Sequence, residues 1–213
     1  MKNKVYILEI LLFAALIVAP AAGDDSDQDR EREQQIKAAF LYNFINFVDW
    51  PAEKLPDNDE PVVIGIVGNE DFVKAFDPIK DKQIKGKYVI VKYLGTVSGL
   101  KQSWKNNKAQ FEQAADWLKK CHVVFIGSDI PASDEDPGFI VEALLGFPIL
   151  MVGEHPGFLE KAGHINFLLE DNKIRFEINL SAAKKNQIKI RAQLLKLAKR
   201  VVGEEPPMEK QSR

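Results

Sequence analysis

Cysteine is almost missing from this chain. Cys121 is the only one in 213 residues, so no disulfide can close within one molecule and stability must come from the core. Histidine is scarce as well. His122, His155 and His164 include no pair at the i, i+3 or i, i+4 spacing that sets two ligands on one helix face, so no metal site is expected. They read instead as a strand start, a loop and another strand start. Cys121 and His122 adjoin on an expected strand and point to opposite faces, which excludes a thiol–imidazole nucleophile pair. A basic excess is also lacking, since 29 Lys and Arg stand against 31 Asp and Glu. Such a chain offers nucleic acid no electrostatic footprint.

The common signatures of cofactors and catalysis are absent too. Gly65-Ile66-Val67-Gly68 is only a fragment of a dinucleotide fingerprint, and no P-loop follows, so it reads as a plain strand-to-helix turn and no cofactor is expected. There is no G-x-S-x-G elbow and no carboxylate pair placed for acid–base work. The chain is not expected to be an enzyme. Asp129, Asp134, Glu135 and Asp136 crowd one loop without EF-hand spacing or its glycine, and read as a solvated turn that caps the next helix.

One hydrophobic run exists, and it is short. Lys2 and Lys4 precede an apolar stretch over 5–19, interrupted by Glu9 and followed by Ala19, Ala21, Ala22 and Gly23. This falls below the roughly 20 apolar residues that span hydrocarbon and matches a cleaved secretory signal over 1–22. The expected address is outside the cytoplasm, with no direct membrane insertion after cleavage. No cysteine follows the run, so a lipoprotein anchor is not indicated. Loss of the signal leaves the chain mildly acidic. Residues 23–33 are charged without apolar period and read as a disordered leader, 34–202 as one domain, and 203–213 as a disordered tail.

Within the domain, Ile36, Phe40, Asn43, Phe44 and Phe47 recur at helical spacing over 31–48, widened by Leu41, Ile45 and Val48. Trp50-Pro51 should end that helix. Short apolar runs at 62–67, 88–94, 122–126 and 149–152 read as strands, with helices at 70–79, 108–120 and 138–145 between them. This alternation predicts an α/β fold: a three-layer α/β/α sandwich with a mostly parallel sheet. Residues 164–169 and 173–178 around the turn Glu170-Asp171-Asn172 should form an antiparallel C-terminal hairpin at a sheet edge. A short helix should follow Asn179 and stop near Asn186, with 187–189 extended. A last helix is expected over 190–201, with Leu194, Leu197, Ala198 and Val201 inward.

Phe40 and Tyr42 lie on different faces of the first helix, so the aromatic series Phe40, Tyr42, Phe44, Phe47 and Trp50 cannot all point inward. Tyr42, Trp50 and Pro51 are therefore candidate partner-binding residues. Arg175 and Glu177 are further candidates, because they alternate with Ile174, Phe176 and Ile178 and make one face of their strand charged.

Several segments together resemble the YfiR family of bacterial periplasmic proteins. They are Ala39-Phe40-Leu41-Tyr42-Asn43-Phe44 leading to Asp49-Trp50-Pro51, then Ile64-Gly65-Ile66-Val67-Gly68, and Cys121-His122-Val123-Val124-Phe125-Ile126. Gly163-His164-Ile165-Asn166-Phe167, Lys173-Ile174-Arg175-Phe176-Glu177-Ile178-Asn179 and Leu194-Leu195-Lys196-Leu197-Ala198 complete the likeness over residues 36–202. The resemblance implies a repressor that binds the periplasmic sensor region of an inner-membrane diguanylate cyclase, release of which raises cyclic di-GMP and favours biofilm. It also implies a sensor kinase as an alternative receptor and suggests a homodimer. Relatives can use disulfides as a redox input, which Cys121 alone cannot provide internally. The polar stretch 98–108 looks long for the family and reads as an added loop. The alternative function is a periplasmic small-ligand receptor acting with a sensor kinase or transporter, its pocket at the C-terminal edge of the sheet.

Overall fold

The computed structural model describes residues 25–55, 59–128 and 136–203. Eight strands form the main sheet: β2 (Val62–Val67), β3 (Gln83–Ile84), β4 (Lys87–Tyr93), β5 (Val123–Ile126), β6 (Leu150–Gly153), β7 (Ile165–Glu170), β8 (Lys173–Asn179) and β10 (Arg200–Val202). Their order is β10-β8-β7-β6-β5-β2-β4-β3. The run from β7 to β4 is parallel. β3 joins β4, and β8 joins β7, antiparallel. β1 (Val48–Asp49) and β9 (Lys189–Ile190) make a separate antiparallel pair.

The central strands carry apolar side chains on both faces, so alternate residues enter two separate cores. Val123, Phe125, Leu150 and Val152 join the core beneath α1 (Asp25–Phe47) and the 3₁₀ segment Glu70–Ile79. Val124, Ile126 and Met151 join the opposite core, with Leu100 of α2 (Val97–Asn106), Leu118 of α3 (Lys108–Lys120) and Ile140 of α4 (Gly138–Ala143). The sandwich is thus three-layered, with a mostly parallel sheet, helices on both sides and an antiparallel hairpin. The hairpin turns through Asp171 and Asn172 at φ 50° and 55°, the pair of positive φ angles a two-residue type I′ loop requires.

The structure departs from expectation in five places. α1 takes in Asp25–Phe47, so the described part of the stretch read as an unstructured leader is helical. A charged segment without apolar period excludes a buried face but not a helix. Phe40 and Tyr42 are both half-buried against the same core, because α1 packs on the sheet while the 3₁₀ segment and α6 (Ala192–Leu195) flank it. Residues 98–108 are not a loop but largely α2: Thr96 caps it by accepting from the Gly99 N–H at 3.0 Å, and few apolar residues mark its inner face.

The fourth departure is the hairpin's place. β10 lies outside it and pairs with β8 in parallel, so the hairpin is not at the edge. The fifth has the same cause: the helix expected over 190–201 is only α6, and the chain then extends into β10. Lys199 N–H donates to the Phe176 carbonyl at 2.9 Å, so strand pairing satisfies an edge of β8 that a helix would leave bare. Leu197 is consequently exposed rather than inward. The short helix after Asn179, α5 (Leu180–Lys185), forms as read, its N-terminus capped when Asn179 Oδ1 accepts from the Ala182 N–H at 3.0 Å.

Candidate functional site

From β2 the chain crosses outward to β4, then returns past β2 to β5 and continues to β6 and β7 on the other side. The sheet therefore has a topological switch point between β2 and β5, and open α/β sheets bind ligands beyond the strand C-termini at such a point. A cleft of about 600 Å³ opens there, within the size range of small-molecule sites. Ile66, Phe72, Phe125 and Phe167 form its floor, while Arg30, Glu33, Gln34 and Lys37 of α1 form one wall. Gly127 and Ser128 follow β5, and Glu154 follows β6.

The polar end of the cleft is built around Lys37. Its ammonium pairs with Glu33 one turn earlier and with Glu154 across the cleft. The other oxygen of Glu154 accepts from the Ser128 N–H at 2.8 Å. Burial alone would lower the Lys37 ammonium, but the charges and hydrogen bonds of Glu154 and Glu33 outweigh it and hold it above the ordinary lysine value. Gly127 is bare for a reason: a Cβ there would stand 2.8 Å from the Phe125 ring and 3.3 Å from Glu154 Oε1. A side chain would fill the floor.

The opposite, N-terminal rim of the sheet holds a second polar cluster. Trp50 Nε1–H donates to the His122 carbonyl at 3.2 Å. His122 Nδ1 accepts from the Val63 N–H at 3.0 Å, and its Nε2 meets the Lys54 carbonyl at 2.9 Å. The ring is therefore the neutral Nε2–H tautomer, and burial pulls its pKa down to about 4. Beside it, Lys85 Nζ lies 5.5 Å from the Trp50 ring centroid. The Arg191 Nε–H is shared between both Asp49 carboxylate oxygens at 3.1 Å, Arg191 Nη2 donates to Oδ1, and Arg191 holds that carboxyl below the usual range.

The residues singled out for partner binding do not converge. Tyr42 is on α1 and half-buried, with its hydroxyl pKa raised by burial. Trp50 and Pro51 are half-buried at the N-terminal rim, Trp50 being packed on the α1-side core. Arg175 and Glu177 face the other side of the sheet, since Ile174, Phe176 and Ile178 fill the α1 side. Arg175 is exposed. Glu177 accepts from Arg200 of β10 at 2.9 and 2.8 Å, so part of that charged face is a cross-strand pair.

Sequence reading missed both the Lys37–Glu154 link and an exposed apolar face on β4. Tyr88 is 58% and Ile90 44% exposed on the strand face that also carries Lys92, whose ammonium sits 3.4 Å from the Trp117 ring centroid. Residues 117 positions apart give no local signal for the first. For the second, the clue was present: β4 alternates Tyr88, Ile90 and Lys92 against Val89, Val91 and Tyr93.

Cys121 is buried, and burial raises its thiol to about 11. Among the described residues no group of three or more His, Cys, Asp or Glu side chains is arranged to hold a metal. Asp129, Asp134 and Glu135 lie outside the described residues, whereas Asp136 pairs with Lys161 at 2.7 Å and accepts from the Gly138 N–H at 2.9 Å. Among the described residues no helix is long and apolar enough to cross a membrane.

Comparison with known proteins gives a family and distantly similar solved structures. The family profile described as YfiR/HmsC-like matches residues 34–199. A crystal structure of a conserved domain protein from Vibrio cholerae O1 biovar El Tor is similar over 70% of this chain and 57% of that one, at 14% identity and a TM-score of 0.43. The chain thus spans little more than half the length of that structure. No curated protein matches.

Proposed function

The chain belongs to the YfiR/HmsC-like family, whose members are periplasmic regulators of diguanylate cyclases rather than enzymes, and from that premise we propose that it represses such a cyclase by binding its periplasmic sensor region. The observation that carries the reading is the length of the family match, which takes in nearly all of the sandwich from α1 to the end of the α6 segment. Repression needs only differential binding: a repressor that prefers the cyclase's inactive conformation shifts the population toward it. The protein acts after export and signal removal, as a homodimer. Tyr42, Trp50, Pro51, Arg175 and Glu177 remain its proposed contact residues. Two separate contact areas follow, because these side chains are divided between opposite faces of the sheet.

The test is cellular cyclic di-GMP in a strain lacking the gene, complemented with wild type, Arg175→Glu or Trp50→Phe. A rise on deletion, reversed by wild type and less well by Arg175→Glu, supports repression through the β8 face. Unchanged cyclic di-GMP on deletion sinks the cyclase reading. Full reversal by both variants would leave the repression intact and remove Arg175 and Trp50 from the contact. A second reading, a small-ligand receptor acting with a sensor kinase or transporter, is favoured by the cleft at the switch point.

A further inference from the structure

We infer that the cleft between α1 and the C-terminal ends of β2, β5 and β6 is a binding site for a small organic cation, an amine with an apolar body. This deepens the ligand-receptor reading and does not depend on the cyclase one.

The argument starts from charge. Lys37 and Glu154 are largely withdrawn from water, at 12% and 17% side-chain exposure, and Glu33 stands at 32%. Two carboxylates thus share one ammonium, which leaves one negative charge in excess among the described residues at the polar end. Hydrogen-bond capacity points the same way. Two carboxylates offer roughly eight lone-pair directions, and among the described residues the two Lys37 contacts and the Ser128 N–H occupy few of them. The unused capacity is for donors. Arg30 is exposed on the rim, where water screens its charge more than that of the groups below.

The rest of the cleft sets the ligand's body. Phe72, Phe125 and Phe167 are each nearly buried, at 4%, 2% and 3% exposure, so they present a fixed apolar floor. The Phe72 and Phe125 centroids are 4.7 Å apart, and those of Phe125 and Phe167 are 6.1 Å apart. Among the described residues that floor carries no charged group, and Gln34 and Asn69 of the lining are neutral, so a ligand with one charged end and one apolar end fits. A carboxylate ligand would meet Glu33 and Glu154 with like charge, and a neutral one would leave the excess unanswered.

Isothermal titration of the purified protein with three probes of matched shape tests this: 2-phenylethylamine, 2-phenylethanol and 3-phenylpropionate. The amine should bind saturably and about tenfold or more tighter than the alcohol, with the carboxylate weakest. Amide shifts in nuclear magnetic resonance should move at Gly127 and Ser128. Glu154→Gln should weaken the amine about tenfold while narrowing its margin over the alcohol, and Gly127→Ala should weaken all three probes. Equal binding of amine and carboxylate, or no saturable binding of the amine, overturns the inference. If Glu154→Gln fails to fold, the probe series on the wild type still decides. Repression of a cyclase is read separately as cyclic di-GMP, so either reading can fail alone.

Discussion

Trp50 and His122 hold one corner of the sheet together: the indole N–H donates to the His122 carbonyl at 3.2 Å, and the two rings meet edge to face with centroids 6.3 Å apart. The chain leaves α1 at this corner, and the His122 ring ties the same point to Val63 of β2 and to the Lys54 carbonyl. Trp50→Phe keeps most of the ring and should cost about 1 kcal/mol for the lost hydrogen bond. Trp50→Ala should cost about 3 kcal/mol, since it also removes the packing. Urea unfolding midpoints check both. An Ala variant as stable as wild type would show that the corner contributes nothing, and would return Trp50 to a role in partner contact alone.

Acid should destabilise the protein well before its carboxylates titrate. His164 is fully buried, its Nδ1 accepts from the Met151 N–H at 3.1 Å, and burial lowers its pKa from 6.5 to about 3. His122 is shifted the same way. Both are neutral when folded, so below pH 6.5 the unfolded chain binds more protons and stability falls with pH until the folded pKa values are reached. His164 alone should remove about 2 kcal/mol by pH 5 relative to pH 8. Unfolding midpoints across pH 4.5–8 measure this. His164→Asn keeps an acceptor for Met151 and cannot titrate, so it should flatten the slope; an unchanged slope would refute the assignment.

Much of the frame was readable because the buried strands announce themselves. Val62–Val67 is apolar at nearly every position, and the Asp171-Asn172 turn carries the residues that tolerate positive φ. What escaped was decided by distant partners. Residues 196–202 continue the spacing of a helix, yet the chain leaves it after α6 and residues 200–202 form β10 because β8 had a free edge to pair. The cleft was anticipated as a place, from the logic of open α/β sheets, but not as residues. Lys37 and Glu33 look like an ordinary surface pair one turn apart, and only the fold brings Glu154 to the same ammonium.

Cys121 should be chemically quiet in the folded state. Its thiol is buried, contacts the Trp117 carbonyl at 3.4 Å and is raised to about 11. At pH 8 the thiolate fraction is far below that of a free cysteine, and alkylation should run about a hundredfold slower or more. The reaction of native and urea-unfolded protein with iodoacetamide compares the two. Rapid labelling of the native protein would reopen an intermolecular redox role for this thiol.

Gly65 separates a packing role from a ligand role within the Gly65–Gly68 stretch. A phosphate-binding glycine sits in a loop with its backbone open to a ligand, but Gly65 lies inside β2, paired with Lys92 on one side and Val124 on the other. A Cβ there would come within 2.6 Å of Leu94 Cδ1 and 2.8 Å of Cys121 Sγ. Gly65→Ala should therefore destabilise by about 1–3 kcal/mol through overpacking. Adding Cys121→Ala removes one of the two clashing atoms, so the double variant should recover part of the loss beyond the sum of the single effects. Simple additivity in urea unfolding would mean that Gly65 and Cys121 do not constrain each other, and the close approach of β2 to the end of α3 would need another explanation.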